Sequence, residues 1–154
     1  MRLASIATVL LLAGSAPLLA QENHPDILKG PNEAKWGPAP PMLPKGAEMA
    51  VLAGDPTKSG LFVVRIKLPA NAKVPAHHHP TVENITVISG SFHLGMGDKL
   101  DEKNGAALEP GGFASMPANM NHYAWTTADS VVQLHGQGPF KIEYVNPADD
   151  PSKK

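Results

Sequence analysis

Short apolar stretches separated by turn-forming residues set the strongest limit on how this chain can fold. From residue 46 onward, stretches such as LFVVRIKL, ENITVIS and VVQLHG recur between Gly, Pro, Asn and Asp. Runs of this length and spacing are typical of an all-β sandwich or barrel. No segment keeps an i, i+3, i+4, i+7 apolar stripe over three turns, so we expect little helix.

The two ends of the chain differ from this domain. Residues 1–20 begin with a basic Arg2, continue as an apolar run and stop at Ala20, which is the pattern of a cleaved signal peptide. The alternative is a membrane anchor, but the run contains Pro17 and is barely long enough to span a bilayer. Cleavage would give a periplasmic or secreted protein with no membrane attachment.

The remaining chain divides by composition. Residues 21–45 are rich in proline and show no periodicity, which fits either an extended arm lying over the domain, with Trp36 as a candidate anchor, or an unstructured segment. We therefore expect four parts: a signal peptide (1–20), an N-terminal arm (21–45), the β domain (46–146) and a C-terminal tail (147–154).

Composition excludes several kinds of site. The chain has 154 residues, no cysteine and a formal net charge of −1. This length suits a single domain. Without cysteine there is neither a disulfide nor a thiolate-bound metal. The lysines are scattered rather than clustered, so nothing favours nucleic acid as a partner.

The segment HHHPTVENITVISG combines three of the chain's seven histidines with a carboxylate on an apolar strand. In an extended chain, residues two apart share a face, so His77, His79 and Glu83 lie on one side and His78 points the other way. The turn expected at Pro80 relaxes this alternation but still lets the three side chains converge.

The side that carries Glu83 also carries Ile85 and Val87, so we expect it to face the interior. A buried carboxylate is costly unless a cation compensates it, and without a metal we expect burial to raise the pKa of Glu83. Two imidazoles and a carboxylate that face inward favour a metal site. A solvated histidine tract is the alternative.

A second segment, PGGFASMPANMNHYAW, contributes His122 at the start of a strand, and with it two family patterns become visible. His77-x-His79-x3-Glu83-x6-Gly90 resembles the first motif of the cupins, and Gly111-x5-Pro117-x4-His122 resembles their second motif. Residues 91–110 form the interval between the motifs, as in small bacterial cupins, and the resemblance covers about residues 46–146. The chain departs from the second motif at Asn119, where glycine is usual, and at Thr126, where asparagine is frequent.

The resemblance implies a small antiparallel jelly-roll β-barrel. It also implies that His77, His79, Glu83 and His122 bind one divalent transition metal, which these ligand types leave open among Fe, Mn, Ni, Zn, Co and Cu. Coordination positions would remain for water, dioxygen or a substrate oxygen. Cupins often pair through their sheets, so a homodimer is the default expectation.

Three of the histidines outside this ligand set, and two aromatic residues close to His122, have other expected roles. We expect His78 on the outer face or supporting a ligand, and His93 as an ordinary strand residue. His135 lies on a late strand and is the candidate catalytic residue of the pocket wall, with simple packing as the alternative. Tyr123 and Trp125 alternate with His122, which favours core or outer packing.

Two functions follow from these expectations. The first is an exported metalloenzyme that acts on a small organic molecule, by dioxygenase, isomerase or decarboxylase chemistry. The alternative is a non-catalytic cupin module that binds a metal or a small ligand.

Overall fold

The computed structural model describes Gly30 and residues 32–154, and this part of the chain is built almost entirely from β-strands. It contains eleven strands and two short 3-10 turns, which confirms the predicted all-β class. The strands are β1 (Gly37–Pro38), β2 (Glu48–Ala53), β3 (Gly60–Leu68), β4 (Lys73–His78), β5 (Glu83–Ser89), β6 (Phe92–Met96), β7 (Ala106–Leu108), β8 (Phe113–Met116), β9 (His122–Thr126), β10 (Ser130–Gly138) and β11 (Glu143–Tyr144). Across these residues, no helix has the length and apolar character needed to cross a membrane.

The strands form two antiparallel sheets. The six-stranded sheet has the order β1-β2-β3-β10-β5-β8, and the five-stranded sheet has the order β11-β4-β9-β6-β7. Strands that are distant in sequence are neighbours in both sheets, as expected for the predicted jelly roll.

The core lies between the two sheets because apolar and polar residues alternate along the strands. In β3, Phe62, Val64, Ile66 and Leu68 are buried, whereas Val63 and the other residues between them are only half-buried. Burying one such side chain contributes about 1.5–3 kcal/mol. The core residues of the other strands are Val74, Ile85, Val87, Phe92, Leu94, Met116, Ala124, Val132 and Leu134. The predicted interior direction of Ile85 and Val87 is confirmed.

A second, smaller cluster forms on the outer side of the five-stranded sheet. Tyr123 and Trp125 are buried there beneath the loop that joins β6 to β7, with Ala76 and Leu100 beside them. The Tyr123 hydroxyl donates to the backbone carbonyl of Asn104 at 2.7 Å. The prediction that these aromatic residues serve packing is confirmed.

Turn residues behave as the motif positions predict. Gly90 has φ 90°, and a Cβ atom there would lie 2.3 Å from the backbone oxygen of Asp129, so only glycine fits. Asn119 replaces the usual glycine at φ 61°, which asparagine tolerates. Thr126 makes a turn contact despite the departure from the motif, because its hydroxyl donates to the Pro69 carbonyl at 2.6 Å and accepts from the Ala72 amide at 3.0 Å.

The predicted signal peptide and the first residues of the arm lie outside the described residues. The rest of the arm contacts the domain: β1 pairs with β2, and the Lys67 ammonium lies 4.0 Å from the centroid of the Trp36 ring. The tail forms the 3-10 turns Pro147–Asp149 and Pro151–Lys153. The domain boundaries themselves stay predictions.

Candidate metal centre

The four predicted ligands are brought together from both sheets at one end of the barrel. In the five-stranded sheet, His77 of β4 lies directly opposite His122 of β9. Glu83 is the first residue of β5 in the six-stranded sheet, and His79 lies in the connection between β4 and β5. The Asn119 amide donates to the His79 carbonyl at 2.8 Å and so ties this connection to the β8–β9 turn.

The four side chains are buried and in close contact. The exposed fractions are 4% for His77, 2% for His79, 4% for Glu83 and 1% for His122. One ring nitrogen from each of the three histidines lies within 4.8 Å of the other two. The Oε2 atom of Glu83 lies 3.4 Å from Nε2 of His79 and 3.2 Å from Nε2 of His122.

Backbone carbonyls fix the orientation of each imidazole ring. Nδ1 of His77 lies 2.7 Å from the Pro75 oxygen, Nδ1 of His79 lies 2.6 Å from the Lys141 oxygen, and Nδ1 of His122 lies 2.9 Å from the Met120 oxygen. A carbonyl only accepts, so each neutral ring carries its hydrogen on Nδ1. The lone pair of each Nε2 atom is then free to bind a metal, which is the arrangement typical of metal-binding histidines.

The atoms that face the centre lack hydrogen-bond partners. Within the described chain, Nε2 of His79, Nε2 of His122 and Oε2 of Glu83 are buried and unpartnered. Buried polar atoms without partners are rare because each costs about 1–3 kcal/mol. Two nitrogen lone pairs that face a carboxylate oxygen need a proton or a cation among them. The residues present therefore fit a bound metal ion.

Burial and contacts among the four side chains shift the pKa values of His77 and Glu83. Burial, followed by the neighbouring rings of His122 and His79, lowers the pKa of His77 to about 3, so His77 is neutral and ready to bind a metal at neutral pH. For Glu83, burial acts to raise the pKa, but hydrogen bonds from His122 and His79, which form when their Nε2 atoms carry a proton, outweigh it and lower the pKa to about 2. The expectation that burial would dominate and raise the Glu83 pKa was therefore wrong.

A cavity of about 430 Å³ extends from the ligand group into the barrel. Its volume falls within the range of roughly 300–1,000 Å³ that is typical of small-molecule sites. The wall includes all four predicted ligands and core residues of both sheets, together with Pro40, Met42 and Leu43 of the arm.

The segment that follows β10 supports the site. The ring of Phe140 stacks on His79 with centroids 4.3 Å apart and planes 21° apart, and the Phe140 amide donates to the Pro56 carbonyl at 2.7 Å. Lys141 contributes the carbonyl that holds His79. The Tyr144 hydroxyl donates to the Met42 carbonyl at 2.6 Å and so holds the arm against the domain. These residues lie far from the motifs and carry no motif pattern of their own, so the sequence does not single them out as part of the site.

The other predicted histidines lie outside the ligand group. His78 points away from it, as predicted, and its Nε2 atom lies 3.2 Å from Oε2 of Glu143. The ring of His93 stacks on Trp125 with centroids 4.8 Å apart. His135 is half-buried on the opposite side of β10 from the core residue Leu134, and it does not line the cavity. The structure thus assigns His135 no contact with the candidate site, and the packing alternative fits its position.

Sequence comparison gives one family match. The model of the ChrR cupin-like domain matches residues 24–141 of the chain, which is more than half of its length. No curated protein matches the sequence significantly.

Several solved structures share the fold at low sequence identity. The polyketide cyclase RemF from Streptomyces resistomycificus superposes with a TM-score of 0.63 at 17% identity and covers 79% of this chain and 86% of its own. A proposed acetylacetone dioxygenase from Methylibium petroleiphilum PM1 gives 0.58 at 18% identity over 89% of this chain and 88% of its own. An RmlC-like cupin from Shewanella frigidimarina NCIMB 400 gives 0.55 at 16% identity over 71% and 87%.

Proposed function

Since the chain belongs to the ChrR cupin-like domain family, we propose that it is a metal-dependent enzyme that acts on a small organic molecule. One observation carries the proposal: three buried imidazoles and a buried carboxylate converge on the wall of a cavity, and two of the imidazoles and the carboxylate direct unpartnered atoms at one another. His77, His79, Glu83 and His122 would hold one divalent cation, whose identity these ligands leave open among Fe, Mn, Ni, Zn, Co and Cu.

The bound metal would supply either Lewis-acid polarisation of a substrate oxygen or one-electron chemistry with dioxygen. The protein's own contribution is to hold the ligand rings in one orientation through their Nδ1 contacts and to keep the substrate in an apolar cavity. Beyond the four ligands, Lys141 and Glu143 are the titratable residues on the described cavity wall, and the Glu143 carboxylate contacts His78 on the outer side. A reaction that needs proton transfer would use Lys141 or Glu83.

The fold neighbours support an enzyme of this kind without defining its reaction. Two of them are named for reactions on small organic molecules, a polyketide cyclase and a proposed acetylacetone dioxygenase. For this chain, dioxygenase, isomerase and decarboxylase chemistry all remain within the proposal. A non-catalytic module that binds a metal or a small ligand is the second candidate, because the same ligand group would serve it equally well.

The test separates catalysis from binding. Protein loaded with Fe(II) is incubated with diketones, phenols and keto acids while oxygen uptake and product formation are followed, with His122→Ala as the inactive control. Turnover by the wild type and loss of turnover in the control support the enzyme. Stoichiometric binding without turnover across the panel, with each candidate metal in place, favours the binding module.

We also propose that residues 1–20 are removed during export and that the mature protein is periplasmic or secreted. Mass spectrometry of the protein from fractionated native cells should find a chain that starts at Gln21 outside the cytoplasm. A full-length chain in the cytoplasm would overturn this proposal. A homodimer remains the expectation for the oligomeric state, and light scattering at several concentrations measures it directly.

A further inference from the structure

The cavity wall away from the metal ligands is almost entirely hydrocarbon. The lining residues that are exposed, Thr57, Lys141 and Glu143, lie in the β2–β3 loop and in the segment after β10. Because the Phe140 amide donates to the Pro56 carbonyl, these two segments meet, and we place the mouth of the cavity there. The deeper wall offers no charged group other than the ligand set within the described residues.

Strand register places the ligands and the apolar floor at different depths. Gly136 of β10 lies opposite Glu83, whereas Val132, four residues earlier on β10, lies opposite Val87 and Ile66. A strand rises about 3.3 Å per residue, so the apolar floor of the cavity at Val132 lies roughly 13 Å along β10 from the Glu83 end. A ligand bound to the metal would therefore extend its other end into hydrocarbon.

Charge balance limits the ligand further. A divalent cation, three neutral imidazoles and one carboxylate leave a single net positive charge. One anionic oxygen on the ligand neutralises this charge, whereas a dianion would leave an uncompensated charge in an apolar cavity, which is costly. A polyhydroxylated ligand would lose hydrogen bonds to water, because the wall offers its hydroxyl groups no replacement.

We propose that the substrate is a weakly acidic, largely apolar molecule that carries adjacent hydroxyl or enol and carbonyl oxygens, and that it binds as a monoanion. The proposal rests on the metal-binding function proposed above. The neutral molecule releases one proton to solvent on binding, its oxygen atoms face the four metal ligands, and its hydrocarbon part fills the space in front of Val132. The arm residues Met42 and Leu43 form part of the wall and so help to set the ligand's size.

Calorimetry with three small probes tests the proposal on Zn(II)-loaded protein whose metal content has been measured. Tropolone carries an apolar ring with adjacent hydroxyl and carbonyl oxygens, tropone is the same ring without the hydroxyl, and oxalate presents adjacent oxygens as a dianion. Each affinity is divided by that of the same probe for Zn(II) in water. We expect a normalised preference for tropolone over oxalate of at least tenfold, release of about one proton measured in two buffers, and weak binding of tropone.

Two variants of the cavity floor locate the binding site. Val132→Phe fills the floor and should weaken tropolone binding at least tenfold with unchanged metal content. Val132→Thr keeps the shape, adds a hydroxyl and should weaken it several-fold, which keeps the test valid if the Phe variant does not fold. Equal normalised affinities for tropolone and oxalate, or floor variants that bind tropolone as tightly as the wild type, would overturn the proposed substrate class. A measured content of one metal per chain would still leave the metal function intact. Protein that binds no metal overturns both.

Discussion

The Nε2 atom of His122 and the Oε2 atom of Glu83 lie 3.2 Å apart, and both are buried without a hydrogen-bond partner among the described residues. The His122 ring donates from Nδ1 to the Met120 carbonyl, so in its neutral form Nε2 offers a lone pair to a carboxylate. Two acceptors at this distance repel each other unless a positive charge lies between them or beside them. A metal ion supplies that charge for the whole group.

Replacing single ligands should remove the metal selectively. We expect His77→Ala, His79→Ala and His122→Ala each to lose most of the bound metal, since each removes one Nε2 atom that would bind it. His78→Ala is the matched control: the residue is adjacent in sequence, but its ring contacts Glu143 on the outer side. Metal analysis of the four purified variants checks this. Metal loss in His78→Ala together with retention in His77→Ala would reverse the assignment of faces.

Glu83→Gln isolates the charge of the carboxylate. The variant keeps the shape and one oxygen donor, so we expect metal affinity to fall by ten- to a hundredfold, about 1.4–3 kcal/mol. Competition with a chelator of known affinity measures the change, with Glu143→Gln as the control. Equal affinities in wild type and Glu83→Gln would remove Glu83 from the site.

The metal-free protein should lose stability in acid. The pKa of His77 is about 3 in the folded protein and 6.5 in an unfolded chain, so between these values the unfolded chain binds a proton that the folded chain does not. Stability therefore falls as pH drops from about 6.5 towards 3, by up to about 1.4 kcal/mol per pH unit. The pKa of Glu83, about 2 against 4.5, adds a loss in the same direction as pH falls below 4.5.

Urea unfolding of chelator-treated protein between pH 4 and pH 8 measures this dependence. His77→Gln removes one titrating group and should flatten the curve between pH 4.5 and pH 6.5. A wild-type curve that is level across this interval, or that rises towards acid, would contradict the assignment of a buried neutral His77.

Phe140 should support the site without binding the metal. Its ring covers one side of His79, and the next residue provides the carbonyl that orients His79. Loss of partners that orient a metal ligand typically costs ten- to a hundredfold in affinity. We expect Phe140→Ala to weaken metal binding about tenfold, Phe140→Leu to restore part of it, and the exposed control Leu61→Ala to have no effect. Equal affinities in all three variants would limit Phe140 to lining the cavity.

Local patterns in the sequence predicted the strands and the composition of the ligand group. Alternation along β5 placed Glu83 with Ile85 and Val87 on the interior, and spacing within the motifs selected the histidines that meet. Alternation along β10 likewise indicates that His135 faces outward, because His135 shares its side of the strand with Gln133 and not with Leu134.

Long-range contacts could not be read from such patterns. The Lys141 carbonyl meets His79 across 62 positions of sequence, and Tyr144 meets Met42 across 102. Every residue type has a backbone carbonyl, so the amino-acid sequence does not show which carbonyl contacts a ligand ring. The proline-rich arm has no periodicity that would assign it to a cavity wall. The pKa of Glu83 was misjudged for a related reason: its value depends on the distances to two imidazoles that only the folded chain defines.

Metal analysis of the protein purified from its native compartment tests the central claim most directly. Elemental mass spectrometry, combined with a protein concentration from amino-acid analysis, should find close to one divalent transition metal per chain in the wild type. The double variant His77→Ala/His122→Ala, prepared in parallel, should contain less than a tenth of that amount. A wild-type protein that contains no more metal than this variant, and that takes up none when Fe(II), Mn(II), Co(II), Ni(II), Cu(II) and Zn(II) are supplied in turn, would contradict the account.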